Sequence, residues 1–347
     1  KYYEEGRAAA GDGWWVREYT WDFAVAVDLT GDRAPVIENV TQLLTTVDTG
    51  PQTVEAMITD DNPGGGNAGV ASAEIHYSLD GGATFTPVAM ADQGGDIFAA
   101  DIPGQAPGSS IFYKVVATDV EGLVSESAVF NYGIFEVINT NLLVIFNGGS
   151  EARANQLVPF YLQGLVENYD LWAAFGPVDE FINQYDAVLE ISAEGGPSDD
   201  NREALTNFAA SGNKVLGVIG MEILGYLYNY DDLTFEAGDY EYEILGVLNS
   251  YNDVNFDGVG NQADPSPIKA IAGTAYGDAL AQWQADNALE TISFDPNGIL
   301  GASNWMDQFD PREDIGSEVF LHGFALDGSE RPVGHSWTHP VNTCLLY

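Results

Sequence analysis

Between Asp253 and Asp264 the chain reads DVNFDGVGNQAD, with side-chain oxygens at loop positions 1, 3, 5, 9 and 12: Asp253, Asn255, Asp257, Asn261 and Asp264. Gly258 stands at position 6, where the backbone has to turn sharply, and Val259 at position 7 offers a main-chain carbonyl. A hard cation such as Ca2+ takes roughly six to eight oxygens from carboxylates, amides and carbonyls, and this spacing delivers them from one short loop. A solvated acidic turn has no need of ligands at alternate positions. Asp253, Asn255, Asp257, Val259, Asn261 and Asp264 are therefore the expected metal ligands, and Ca2+ the expected cofactor.

Other groups invite chemistry less strongly. Asp60-Asp61 with Asn62 precede a glycine-rich turn, where a second calcium or ordinary turn hydrogen bonding explains them equally well. Glu190 closes a strand-like run, with Glu194 just beyond it and Glu222 after a later run; paired carboxylates of this kind do acid–base work when burial separates their pKa values. Asp199-Asp200 open a helical stretch and are best read as caps that favour its dipole. His335 and His339 are four apart, the spacing of zinc ligands on a helix, but Pro332, Gly334 and Pro340 argue against a helix there. His322 with Glu313 or Asp314 would make an acid–base pair, although nothing in the sequence brings them together. Asn147-Gly148-Gly149-Ser150-Glu151 lacks the glycine pattern of a nucleotide loop, and its glutamate would repel phosphate.

Composition narrows the class. Of 347 residues, 53 are Asp or Glu and 11 are Lys or Arg, a formal net charge of −42, while 45% are hydrophobic. The apolar fraction is that of a globular chain long enough for two cores. The charge repels nucleic-acid phosphates and anionic lipid, so neither nucleic acid nor membrane insertion is expected. It suits instead a saline or calcium-rich extracellular medium. Cys344 is the single cysteine, so no intrachain disulfide forms and calcium is the expected staple. One glycosylation sequon, Asn39-Val40-Thr41, is present.

The elements that must position these groups fall into three stretches. Residues 1–33 crowd Tyr2, Tyr3, Trp14, Trp15, Tyr19, Trp21 and Phe23, and read as an aromatic arm or the last strand of a preceding domain. Residues 34–136 alternate in short runs (TVEAMITD, SAEIHYSL, TFTPVAM, DIFAADI, IFYKVVATD) broken by Gly, Pro, Asn and Asp, which predicts an all-β sandwich with a hairpin at Asp80-Gly81-Gly82. Residues 137–347 change period: apolar strands at 142–148, 171–174, 186–192 and 213–220 alternate with helices over about 152–169 and from Ser198 to Gly212. That order predicts a parallel, doubly wound α/β sheet, with late strands at 318–326 and 342–347 and a long insertion over about 231–317.

These stretches carry three resemblances. The run GVASAEIHYSLDGGATFTPVAM is similar to immunoglobulin-like or fibronectin-III-like modules of secreted bacterial proteins, which act as spacers or adhesive units. YDAVLEIS and NREALTNFAASGNKVLGVIG resemble flavodoxin-like and class I amidotransferase-like domains. The loop at 253–264 resembles the EF-hand-type loops of dockerin repeats, which also close on Asp; a dockerin has two, and one is present here. In the amidotransferase-like family a cysteine or serine nucleophile follows the strand matched by VLGVIG. Here that turn is Gly220-Met221-Glu222, and a methionine cannot be deprotonated to serve.

The expectation is a non-catalytic, calcium-stabilised protein, secreted or on a cell surface, processed from a larger precursor. Its terminal strands are expected to add to neighbouring copies in a filament or surface layer. An extracellular peptidase or glycosidase using Glu190, Glu194 or Glu222 is the alternative, and carbohydrate is a further partner if Trp172, Trp283 or Trp305 form sugar platforms. Asp257→Ala is expected to weaken calcium binding by roughly tenfold or more and to lower the melting temperature in calcium. Calorimetric titration with thermal melting checks this; an unchanged affinity and melting point would remove the loop as a site.

Overall fold

The computed structural model describes residues 2–7, 14–19, 33–60, 68–147, 151–162, 166–173, 176–192, 199–220, 224, 231–252, 267–291, 307–325, 327–341 and 344–346. The chain is β-rich, with several sheets and few helices. It divides into two compact units: Lys1–Leu43, Gly50–Gly104 and Ser110–Asn131 form one, and Leu44–Thr49, Gln105–Ser109 and Tyr132–Tyr347 the other. The two short excursions join the second unit because their backbone pairs there. Thr46 N–H donates to Gly133 O at 3.0 Å, Phe135 N–H to Thr46 O at 2.7 Å and Gly108 N–H to Ile134 O at 2.7 Å.

The first unit begins with an antiparallel hairpin of β1 (Tyr2–Arg7) and β2 (Trp14–Tyr19), which among the described residues pair only with each other. Next come β3 (Val36–Glu38), β4 (Gln52–Thr59), β5 (Val70–Ser78), β6 (Thr86–Ala89), β7 (Ala91–Gly94), β8 (Ile97–Ile102), β9 (Ser110–Asp119), β10 (Val124–Glu126) and β11 (Phe130–Gly133), whose last two residues are counted in the second unit. They build one sheet in the order β3-β4-β8-β7 and another in the order β10-β9-β5-β6, with β11 also paired to β9. Alternation decides which side faces inward. Val54, Ala56 and Ile58 of β4 and Ile111, Tyr113, Val115 and Ala117 of β9 are buried, while their neighbours in sequence are mostly more exposed. Tyr113 anchors the segment before β4: its hydroxyl donates to Thr41 O at 2.6 Å and accepts from Leu43 N–H at 2.9 Å. The β5–β6 hairpin turns at Gly81 and Gly82, both left-handed, and Asp80 accepts from Ser78 and Thr84 around it.

The second unit contains β12 (Leu142–Asn147), α1 (Glu151–Tyr161), β13 (Asp170–Ala173), a 3-10 turn at Glu180–Gln184, β14 (Ala187–Ser192), α2 (Asp199–Ala210) and β15 (Val215–Gly220). Beyond these lie β16 (Leu233–Thr234), a π-helical turn at Glu241–Leu245, β17 (Val247–Tyr251), β18 (Ile268–Ala270), α3 (Ala275–Asp286), β19 (Gln308–Pro311), β20 (Glu318–Phe324), β21 (Glu330–Thr338) and β22 (Cys344–Leu346). The main sheet has eight strands in the order β13-β12-β14-β15-β22-β21-β20-β18, and a second sheet runs β16-β17-β19. Pairing from β13 to β22 is parallel, and from β22 through β21 and β20 to β18 antiparallel.

The expected parallel, doubly wound sheet therefore does not extend across the unit. Its far side is a meander of β-hairpins, and the three α-helices among the described residues are too few to cover eight strands on both faces. The helix expected to Tyr169 ends at Tyr161; Glu167–Tyr169 are not helical, and residues 163–165, which include the poor helix former Gly164, lie outside the described residues.

Two apolar layers flank the parallel strands. Val144 and Phe146 pack with Ala154, Leu157 and Val158 of α1. Leu143, Ile145, Val188, Leu216 and Val218 face the other way, onto Leu205 and Phe208 of α2 and onto Tyr240, Ile244, Leu245, Val247 and Phe309. The last five come from the stretch expected to be an insertion, so part of that stretch is core. β21 was missed in the sequence because Pro332 and Gly334 read as loop. In the structure His335 stacks near Phe309 and hydrogen-bonds Leu245 O and Ser317 Oγ at 2.7 and 3.0 Å.

Gly246 closes the π-helical turn at φ +71°, and a Cβ there would lie 2.7 Å from Ile315 Cδ1 and 2.8 Å from Trp337 Nε1. Gly246→Ala is expected to lower unfolding stability by about 2 kcal/mol or more, from left-handed strain plus displacement of Trp337. Denaturant titration checks this, with Gly238→Ala as control, since Gly238 is also left-handed but meets nothing within 4 Å.

Candidate functional site

Polar groups gather where the parallel strands meet α2 and the turn at Tyr240. The burial pattern of β14 places Val188, Glu190 and Ser192 on the α2 side, so a carboxyl enters a layer otherwise apolar. Glu190 is 0% exposed. Its Oε1 accepts a short hydrogen bond from Asn147 Nδ2 at the end of β12, and Asn201 Nδ2 lies at 3.5 Å. Asn201 is itself fixed, its Oδ1 accepting from Val178 N–H at 2.9 Å. Among the described residues Glu190 Oε2 and the Tyr240 hydroxyl have no hydrogen-bond partner. Arg202 of α2 donates to Glu241 Oε1 at 2.7 Å and lies 5.2 Å from the centre of the Tyr240 ring.

Burial pushes the Glu190 carboxyl up to about 7, against the opposing pull of Asn201, Arg202 and Asn147. Burial also raises the Tyr240 phenol well above its usual range, and the neighbouring Glu190 adds to that. A carboxyl held near neutrality at the carboxyl ends of parallel strands is able to give or take a proton. Sealed at 0% exposure, it meets no substrate in this conformation. Glu241, 1% exposed, is compensated by Arg202, and removing one partner of such a buried pair costs about 3–5 kcal/mol.

The other expected sites are placed as follows. The calcium loop from Asp253 to Asp264 lies outside the described residues, as do Glu194, Met221, Glu222, Asp61, Asn62 and Trp305. Asp199 and Asp200 open α2, and their side chains also lie outside the description. His335 and His339 lie on or just after β21, where a four-residue separation spans roughly 13 Å and excludes a shared zinc. His322 pairs with Glu330 at 3.0 Å rather than with Glu313 or Asp314, and Asp314 is held by Arg312 at 2.8 Å. Trp172 is no sugar platform: it is 3% exposed and packs between Phe135 and Phe181. Trp283 on α3 is 49% exposed.

Among the described residues no group of three or more His, Cys, Asp or Glu side chains is gathered to hold a metal. No described helix is long and apolar enough to cross a membrane. Sequence reasoning reached Glu190 but missed Asn201, Arg202, Tyr240 and Glu241. The Asn147–Glu190 contact joins residues 43 apart in the chain, Asn201 lies on the following helix, and Tyr240 lies in a glycine-flanked stretch without period.

No family model matches the chain, and no curated protein matches it. Among solved structures, CopC from Methylosinus trichosporium OB3b aligns over 30% of this chain and 99% of its own, at 20% identity and a TM-score of 0.22. A beta-1,2-glucanase from Parabacteroides distasonis aligns over 30% of this chain and 14% of its own, at 18% identity and a TM-score of 0.19. A polysaccharide deacetylase from Bacillus cereus aligns over 54% and 60%, at 8% identity and a TM-score of 0.21. This chain thus spans less than two thirds of the latter two, and scores this low assign neither fold nor activity.

Glu190 gives a pH test with a definite sign. Its folded pKa lies above its ordinary 4.5, so its contribution is fully present below 4.5 and is lost as pH rises through about 7. Glu190→Gln cannot ionise, so from pH 5 to pH 8 it is expected to gain roughly 2–3 kcal/mol relative to the native chain. Denaturant unfolding at the two pH values measures the difference; parallel pH profiles would show that the carboxyl does not titrate in the fold.

Proposed function

We propose that the chain is a non-catalytic structural or adhesive protein, extracellular or on a cell surface, stabilised by Ca2+ at Asp253, Asn255, Asp257, Val259, Asn261 and Asp264. In this reading the sandwich unit is an immunoglobulin-like or fibronectin-III-like module. The parallel half of the main sheet is a flavodoxin-like layer, supported by its order: numbered from β12, the parallel strands run 2-1-3-4-5. The observation that carries the non-catalytic reading is the enclosure of Glu190, which makes the one described candidate carboxyl a part of the packing.

Self-assembly is part of the proposal, and its place has shifted. β22 is paired on both sides, to β15 and β21, so strand addition is not offered there. The β1–β2 hairpin remains: a two-stranded ribbon is marginal alone in water, and adding to a sheet edge of another copy would stabilise it. Net charge −42 opposes close approach of copies unless cations intervene, which links assembly to calcium.

A second reading, an extracellular hydrolase, is favoured by the near-neutral Glu190 at the strand ends. It requires a movement that opens the site, and Glu190→Gln would then abolish turnover of a peptide or glycan substrate while leaving the fold intact. The structural reading is checked by electron microscopy and light scattering of the chain in millimolar calcium and in chelator. Calcium-dependent oligomers, lost when residues 1–33 are deleted, are the expected result. A monodisperse monomer at high concentration in both conditions would end the assembly proposal.

A further inference from the structure

The sandwich unit holds two inward-facing carboxyl groups for which the described residues provide no complete set of partners. Inward positions of β4 run Val54, Ala56 and Ile58, and the next step of that alternation, one residue past the strand, is Asp60. Inward positions of β9 run Ile111, Tyr113, Val115 and Ala117, and the last is Asp119. β4 and β9 belong to opposite sheets, so the two acids enter the same interior from opposite walls at one end of it. Gly69 ties them together: its N–H donates to Asp60 Oδ2 at 2.7 Å, and its carbonyl accepts from Val120 N–H, next to Asp119, at 3.1 Å. Val70 is the cross-strand partner of Asp119, which puts the two side chains on one face.

Each carboxylate is half satisfied. Asp119 is 2% exposed; its Oδ1 accepts from Glu121 N–H at 2.9 Å and Leu123 N–H at 2.8 Å, whereas Oδ2 is buried with no partner. Asp60 Oδ1 is likewise buried, with no partner among the described residues. Asp60 and Val70, the cross-strand partner of Asp119, line a pocket of about 220 Å³ together with Ile58, Gly69, Asp92 and Asp96, and no basic side chain is among its described lining residues. Two buried carboxyl oxygens without a partner, one of them on the wall of an acidic pocket, leave acceptor capacity that a bound cation would satisfy, because an unmet buried acceptor is unfavourable.

We propose that Asp60 Oδ1 and Asp119 Oδ2 are ligands of a Ca2+ ion seated at this end of the sandwich, a site separate from the loop at 253–264. Calcium fits better than magnesium: it accepts an irregular shell completed by backbone carbonyls and water, where magnesium demands a regular octahedron. The ion closes the open end of the interior by joining the two sheets.

The test uses the full chain carrying Asp257→Ala, which silences the 253–264 loop, titrated calorimetrically with CaCl2 and melted in about 10 mM calcium or in chelator, in the range of extracellular calcium modules. It is expected to keep one calcium equivalent and a calcium-dependent rise in melting temperature. Adding Asp60→Asn or Asp119→Asn, which are isosteric and remove the charge conflict, is expected to lose that equivalent and that rise. Three results overturn the proposal: no calcium heat in Asp257→Ala itself, an isotherm unchanged by both asparagine variants, or a melting temperature that ignores calcium. Equal stoichiometry in the native chain and Asp257→Ala would sink the 253–264 loop instead, leaving the sandwich site untouched.

Discussion

In the register of the parallel sheet Glu190 stands opposite Ile145 on β12 and Val218 on β15, both fully buried or nearly so. A carboxyl in that position must either stay protonated or draw charge and hydrogen bonds to itself. The surrounding elements are arranged around that requirement. Asn147 has to end β12 level with it, α2 has to begin so that Asn201 and Arg202 reach the same layer, and Tyr240 has to cover what remains. Arg202 then brings in Glu241, and Glu241 opens the turn whose Ile244 and Leu245 fill the core behind. One buried acid thus links the parallel strands to a part of the chain some fifty residues later.

The link continues into the antiparallel half. Trp337 of β21 donates from Nε1 to Ile244 O at 3.2 Å, and His335 hydrogen-bonds Leu245 O. Gly246 is required at the junction because Trp337 and Ile315 leave no room for a Cβ. The stretch between β15 and β20 is therefore held from both sides, by α2 through charge and by β21 through two ring nitrogens. That explains why an apparently aperiodic segment contributes Tyr240, Ile244, Leu245, Val247 and Phe309 to the same core as β12 and β14.

Much of this was legible where burial imposes a period. The runs LLVIFNG, DAVLEIS and NKVLGVIG became β12, β14 and β15 nearly to the residue, because strands buried on both faces must be continuously apolar. The sandwich strands were legible through alternation, and Asp80-Gly81-Gly82 through its turn chemistry. The antiparallel half was not: Pro332 and Gly334 in β21 are weak strand formers, tolerated because Gly334 lets Phe320 and Leu321 close on the backbone. Of the candidate site only Glu190 was legible, since a charge inside an apolar run is a local anomaly. Its partners Asn201, Arg202 and Tyr240 have unremarkable local sequence, and only the tertiary fold brings them together.

Two buried groups of the larger unit, His335 and Glu190, pull stability in opposite directions with pH. His335 is held neutral by burial, with its pKa lowered from 6.5 to about 4, so its contribution is complete above 6.5 and lost as pH falls toward 4. Glu190 contributes most when protonated, and that contribution is lost as pH rises through about 7. Between these values Glu190 carries its proton and His335 does not, so neither adds a charge to the core. The rest of the chain leans the same way, because carboxylates dominate a net charge of −42 and their mutual repulsion eases as the medium becomes mildly acidic. Bound calcium would relieve the same repulsion at higher pH without protonating anything. Under the proposed calcium binding, cation and proton are alternative means of neutralising one acidic surface, whereas the buried Glu190 is neutralised by its proton alone.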